Sequence, residues 1–528
     1  MIEIRLVLGL LVAATALAYI ARRIGIAYPI ALTLGGLALG LVPNLPRVEL
    51  PPELVFLLFL PPVLFAAGYT TPARDFKANL QPIAFLAVGL VLFTTVCVAL
   101  VAAWLVPEME LPAAFALGAI VAPPDAVAAT AIFRRLGVPR KVVTILEGES
   151  LVNDATALTA YRFAVLAAVS GTFSLGQAAI SFVVISVGGI AIGVVVGWLL
   201  TEAWRRTQDP TLEIIISLLA PIAAYLPAEQ LGVSGVLATV TAGLMAGRAG
   251  ARVLSSEARL LGRGVWNVVI FLVNGLAFIL IGLQLPAILG EQSGRSGVEL
   301  LGLGAAISLV VIVTRLAWVI VTGRLRLVMA RRRVGTGALE VHPSTRTPLV
   351  AGWAGMRGVV SLAAALSLPL TLGNGEPFPE RNLILFLTFV VILVTLVGQG
   401  LSLPMLIRRL RLVEDGGAER EETRARQAAG EAALNVLAEL ELRWPGHREL
   451  VDQLRSQYEH RASHVETNGH GPADEQETEL YEHRQIRRAV IDAEREAVIL
   501  LRDDGVISDA VLRVIERDLD LEELRMEA

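Results

Sequence analysis

The chain has 528 residues, 55% of them hydrophobic and only 18% charged, with a formal net charge of −4. A soluble chain of this length carries about 25% charged residues, so the composition points to the bilayer, and no nucleic-acid partner is expected. The lone cysteine, Cys97, rules out a disulfide framework or a cysteine-based metal site.

The apolar runs lie before about residue 410, and the remainder is rich in Glu, Arg and Asp. This division predicts a transmembrane domain over 1–411 and a cytoplasmic helical tail over 412–528. Residues 1–20 are apolar without a basic front or a small-residue cleavage site, which reads as a retained first span. A span needs roughly 17 to 25 apolar residues, and runs of that kind give about thirteen helices. They are expected near 4–21, 28–44, 52–69, 80–105, 112–133, 142–169, 177–203, 211–227, 231–247, 264–289, 298–323, 347–371 and 383–407. The fold class is therefore an all-α polytopic membrane protein.

Loop charges orient these helices. The odd connections carry Arg22 and Arg23, Arg74 and Lys77, Arg134 to Lys141, Arg205 and Arg206, Arg248 to Arg263, and Arg324 to Arg346. The even connections hold only Arg47, Arg295 and Arg381. Basic residues mark the cytoplasmic side, so the N-terminus is expected outside and the C-terminus inside.

Two spans are interrupted by helix breakers next to a charge. The fifth contains Ala122-Pro123-Pro124-Asp125, and the twelfth contains Gly352-Trp353-Ala354-Gly355-Met356-Arg357-Gly358. They enter the bilayer from opposite sides, the pattern of an inverted repeat with a midplane site where broken helices cross. Beyond Leu412, helical periodicity is expected from about Arg420 to Leu442. A linker at Asn468–Pro472 follows, then helix from about Glu475 to Leu501, with a short last helix ending near Met526.

The chemistry concentrates in the sixth span, which reads Glu147-Gly148-Glu149-Ser150-Leu151-Val152-Asn153-Asp154. On a helix Ser150 and Asp154 share a face with Glu147 one turn earlier, and Glu149 pairs with Asn153 on the adjoining strip. Carboxylates inside a membrane are expensive and mark ion or proton pathways. All six histidines lie outside the spans, so histidine is not the intramembrane proton carrier. No phosphate-binding loop supports ATP drive.

An acid withdrawn from water takes up and releases a proton near neutral pH, and its oxygens also suit a hard monovalent cation. Competition for one site then couples opposite movements of the two. Asp154 and Asp125 are the candidate carriers, with Ser150 adding a hydroxyl oxygen. Half-helix carbonyls at the Pro123-Pro124 break can add more. Arg357 needs a partner, and Glu149 is the expected one, with Asn153 bonding alongside; this pair is read as structural. Arg162 and Arg315 are expected to snorkel to opposite surfaces. Glu147 suits an electronegative mouth that draws in cations, and Glu213 a funnel at the cytoplasmic end. A cation channel or a proton-coupled solute symporter built on the same acids remains open at this point. A membrane enzyme is not expected, because no nucleophile–base or metal-ligand cluster appears.

Glu149-Ser150-x-x-Asn153-Asp154, the break with Asp125, Gly355-x-Arg357-Gly358 and, in the third span, Leu60-Pro61-Pro62-Val63-Leu64-Phe65, in order at matching spans, together resemble the cation:proton antiporter-1 family of sodium/proton exchangers. The resemblance covers residues 4–410. It implies a cell-membrane homodimer with separate dimerisation and core bundles, elevator-like alternating access, and electroneutral exchange of one sodium (or potassium or lithium) for one proton, with no cofactor. By motif it makes Asp125, Ser150 and Asp154 the Na+ (or K+) site, Asn153 its orienting residue, and Glu149–Arg357 a structural ion pair. Two positions depart from that family. Ala66 stands where many members have an acid and Pro124 where many have Thr, and both changes remove oxygen ligands.

Overall fold

The computed structural model describes residues 2–42, 55–171, 174–207, 209–284, 288, 295–333, 346–372, 375–412 and 417–467, and separate stretches between 485 and 523. The chain divides into two compact units, Met1–Glu414 and Asp415–Ala528. Among the described residues secondary structure is helical apart from an isolated bridge between Thr371 and Pro377.

In the first unit, α1 (Ile2–Ile24) and α2 (Tyr28–Gly40) precede a π-helical turn, Val55–Phe59, that runs into α3 (Leu60–Thr70). A short α4 (Ala73–Ala78) leads to α5 (Leu80–Leu105). The expected fifth span is two pieces, α6 (Leu111–Val121) and α7 (Ala126–Leu136). Then come α8 (Arg140–Ser170), α9 (Leu175–Arg206), α10 (Pro210–Gln230), α11 (Gly235–Val253), α12 (Ser256–Leu283) and α13 (Gly297–Arg333). The expected twelfth span is again two pieces, α14 (Arg346–Trp353) and α15 (Val359–Leu366), before α16 (Arg381–Leu410).

Seven helices among the described residues are long and apolar enough to cross a membrane, α8 not among them. That helix has 31 residues, length enough to span. Its acids and arginine are what set it apart from its apolar neighbours, which is why it is the place to look for chemistry. The expected ends at residues 43–44, 52–54, 285–287 and 289 lie outside the described residues.

Packing of the first unit follows two main apolar groupings. The larger joins α5, α6, α7, α8, α13, α15 and α16 through residues such as Leu117, Phe133, Ile307 and Phe389. The other joins α3, α9, α10, α11 and the start of α12 around Phe65, Trp204, Ala242 and Trp266. In the second grouping α3 and α11 touch backbone to backbone. A Cβ on Gly68 would stand 2.8 Å from the Val240 carbonyl oxygen, and one on Gly243 2.6 Å from that of Phe65. Small residues permit such approach where lipid supplies no hydrophobic driving force between helices.

The second unit contains α17 (Gly417–Arg443), matching the expected helix from Arg420, and α18 (Arg448–Thr467), which the periodicity reading did not anticipate. Glu441 bridges the two, 3.1 Å from Arg448 and 2.5 Å from Arg455, and hydrogen bonds from both arginines hold its carboxyl below the usual range. The expected linker at Asn468–Pro472 and the start of the following helix lie outside the described residues; residues 488–501 are helical.

Candidate functional site

The two interrupted helices meet, and the sequence explains why they stop where they do. Pro123 and Pro124 offer no N–H to continue α6, so the chain leaves the helix after Val121 and Asp125 adopts an extended backbone as the N-cap of α7. Its Oδ1 accepts from Val127 N at 2.8 Å. On the other segment Gly358 is the N-cap of α15. The extended stretches touch, Asp125 N donating to Met356 O at 2.7 Å. Beneath them, α8 fixes the crossing: Asn153 Nδ2 donates to Pro124 O at 2.8 Å and Ser150 Oγ accepts from Ala126 N at 3.4 Å.

Gly358 is where the approach is tightest. A methyl group there would stand 2.7 Å from the Asp125 carboxyl carbon and 2.8 Å from its Cβ. The Asp125 carboxylate thus sits where an ordinary N-cap side chain of α15 would be.

Asp125, Ser150 and Asp154 line one cavity of about 540 Å³. Glu147 also lines it, together with Tyr28, Ala66, Thr70, Asn267 and Asn274. Two carboxylates and a hydroxyl in an accessible cavity, backed by a half-helix, can hold either a proton or a partly dehydrated hard cation. Asn153 is fully buried behind this lining, holding Pro124.

The expected Glu149–Arg357 ion pair is corrected by the geometry. Glu149 is bound by Arg315 instead, through Nη1 to Oε1 at 2.5 Å and Nη2 to Oε2 at 2.9 Å. Both side chains are 1% exposed. Arg315 therefore does not snorkel; the two-pronged fit of guanidinium on carboxylate and a further bond to Ala351 O at 3.2 Å hold it inside.

Arg357 is satisfied by backbone. Its Nε donates to Val121 O at 3.0 Å, its Nη2 to Ala122 O at 3.3 Å, and its Nη1 to Gly355 O. Broken helices leave carbonyls at their C-terminal ends without intrahelical donors, and a cation is favoured there. This is the physical reason that Arg357 has no need of a carboxylate.

One other expectation changes. Glu213 is 2% exposed and accepts from Ser255 N at 3.0 Å and Ser255 Oγ at 2.9 Å, so it holds the start of α12 and lines no funnel. Arg162 reaches the surface as expected, 42% exposed and paired with Glu229 at 2.6 Å. Sequence reasoning also passed over Tyr28 and Asn274, which line the same cavity. Asn274 could have been noticed as a solitary amide in the apolar run 268–283.

Comparison with known proteins fits this arrangement. The family profile described as "Sodium/hydrogen exchanger, transmembrane" matches residues 10–409. An uncharacterised Na(+)/H(+) exchanger of Mycobacterium bovis is 40% identical over 509 residues, covering 94% of this chain and 91% of its own. A sodium, potassium, lithium and rubidium/H(+) antiporter of Bacillus subtilis is 39% identical over 368 residues, 68% of this chain and 54% of its own. The fold is that of the sodium proton antiporter MjNhaP1 from Methanocaldococcus jannaschii, with a TM-score of 0.60 at 20% identity, covering 78% of this chain and 99% of that one.

Proposed function

Because the chain belongs to the family of transmembrane sodium/hydrogen exchangers, and so is a multi-pass membrane transporter of cations and protons and not an enzyme, we propose that the two ions compete for Asp154 and Asp125. The observation that carries this reading is the shared cavity lined by both carboxylates and Ser150, at the meeting of the two interrupted helices. A carboxylate holding a proton cannot also hold a cation. If the protein turns its site from one side to the other only when one of them is bound, exchange follows without any other energy source.

Residues 1–411 carry this activity, and 412–528 form a cytoplasmic tail. The lining residues Arg22, Thr130, Glu147 and Asn267 lie toward helix ends with basic connections, so the cavity opens to the cytoplasm by the distribution of positive charge. Glu147 then stands at a mouth that attracts cations. Sodium is the first substrate, with potassium and lithium accepted. Support comes from the absence of side-chain oxygen at Ala66 and Pro124, which leaves a less demanding site, and from the breadth of ions in the name of the Bacillus relative. One cation exchanges for one proton, and the working unit is a homodimer.

The test is exchange in proteoliposomes carrying an imposed pH gradient, with one alkali cation added at a time. Sodium should collapse the gradient saturably, independently of an imposed membrane potential. A gradient that persists through every cation, or cation flux without proton movement as in a channel, overturns the reading.

Gly358 offers a sharper prediction. Gly358→Ala pushes a methyl into the Asp125 carboxylate, and misplacing a reacting group by about 1 Å can cost on the order of a hundredfold. Exchange by this variant should fall at least roughly tenfold on that basis, with the protein still folded by gel filtration. Wild-type exchange would mean that Asp125 does not need its observed position.

A further inference from the structure

We infer that Ser361 supplies a further oxygen to the transported cation, an assignment that rests on the competition site proposed above. Ser361 is 2% exposed, and its Oγ has no hydrogen-bond partner among the described residues. It lines the same cavity as Asp125, Ser150 and Asp154.

The other aliphatic hydroxyls of that cavity are engaged. Thr70 donates to Ala66 O at 2.9 Å, Thr130 to Val127 O at 3.3 Å, and Ser150 accepts from Ala126 N at 3.4 Å. A helical serine usually satisfies itself on the carbonyl one turn back. For Ser361 that carbonyl belongs to Arg357, which lies in the non-helical stretch before α15, so the usual escape is missing.

Its position on α15 gives the hydroxyl a target. Gly358 is the N-cap and Ser361 the third helical residue, positions three apart that lie on the same side of the helix start. The Gly358 position is occupied by the Asp125 carboxylate, as the 2.7 Å approach to its carboxyl carbon requires. Ser361 therefore projects from the strip of α15 that the carboxylate covers. Next to it, Val360 packs against the apolar cluster that includes Leu151 and Ala155 of α8, whose positions flank Asp154 in the chain. The first turn of α15 thus lines the same cavity as the two acids, and a hard cation, which takes several oxygens, finds an unused one there.

The experiment compares Ser361→Ala, Ser361→Cys and Ser361→Thr in proteoliposomes, reading the sodium concentration for half-maximal exchange separately from the maximal rate. Ala removes the oxygen. Cys keeps the size but offers a soft sulfur that serves alkali cations poorly. Thr keeps the oxygen. Ala and Cys should each raise the half-maximal sodium concentration about tenfold, the effect of losing one contact to a charged group, with the maximal rate within about twofold of wild type. Thr should restore it.

An unchanged sodium requirement in Ala and Cys overturns the assignment, as does a loss confined to the maximal rate, or a Thr variant no better than Ala. Asp154→Asn is run alongside. If it is inactive while Ser361→Ala behaves as wild type, only the serine assignment fails. If Asp154→Asn still exchanges sodium for protons, the underlying site is wrong.

Discussion

Replacing Glu149 by Ala is expected to destabilise the folded transporter by about 3–5 kcal/mol, because it leaves the Arg315 guanidinium buried without its counter-charge. The pair is as enclosed as any ion pair among the described residues, with 1% exposure on each side and two parallel contacts. It ties α8, which bears Asp154, to α13, and through Ala351 O to α14. Thermal unfolding in detergent reads the loss directly. The double variant Glu149→Ala/Arg315→Met should recover much of it, since replacing both members of a buried pair with apolar groups is far cheaper than stranding one. Arg315→Lys should not substitute for the native residue, because an ammonium cannot make the two-pronged contact. A Glu149→Ala protein that melts like wild type would show that the pair holds nothing together.

Asp154→Asn is expected to abolish exchange while leaving the fold intact. The amide keeps the size and hydrogen-bonding shape of the carboxyl but can neither carry a proton nor neutralise a cation. Asp125→Asn gives a matched comparison. Asn is as good an N-cap as Asp, so the bond to Val127 N survives and α7 keeps its start. Loss of exchange in that variant reports the missing charge and not a damaged helix. Activity near wild type in the Asp154 variant would remove it as the carrier.

Much of the site could be read from residue types because the breaks are written in them. Pro123 and Pro124 cannot continue a helix, and the Asp that follows is a natural cap for the next one. The clustering of Glu149, Ser150, Asn153 and Asp154 within little more than a turn identified α8, since no lipid-facing helix keeps so many polar groups.

What could not be read was which of two arginines Glu149 would choose. The cost of a lone guanidinium at mid-depth favoured Arg357, which stands in a broken segment, while Arg315 was expected to snorkel. The deciding partners were backbone carbonyls of Val121, Ala122 and Gly355, which become acceptors only once both helices have stopped and crossed. Ser361 escaped notice for a similar reason. A serine in a span is unremarkable until its usual carbonyl is known to be out of reach.

In the tail, α18 was missed because its apolar residues Leu450, Val451, Leu454 and Tyr458 are few among charges. Its hold on α17 includes the ion pairs made by Glu441, which leave no periodic signature.

The central claim is that sodium displaces a proton from the same acids. It is tested most directly by adding sodium to the purified protein in weakly buffered detergent solution and recording the protons released. The account predicts saturable release that needs more sodium as the pH is lowered and that vanishes in Asp154→Asn. Sodium binding with no proton released, or release that persists unchanged in that variant, would contradict it.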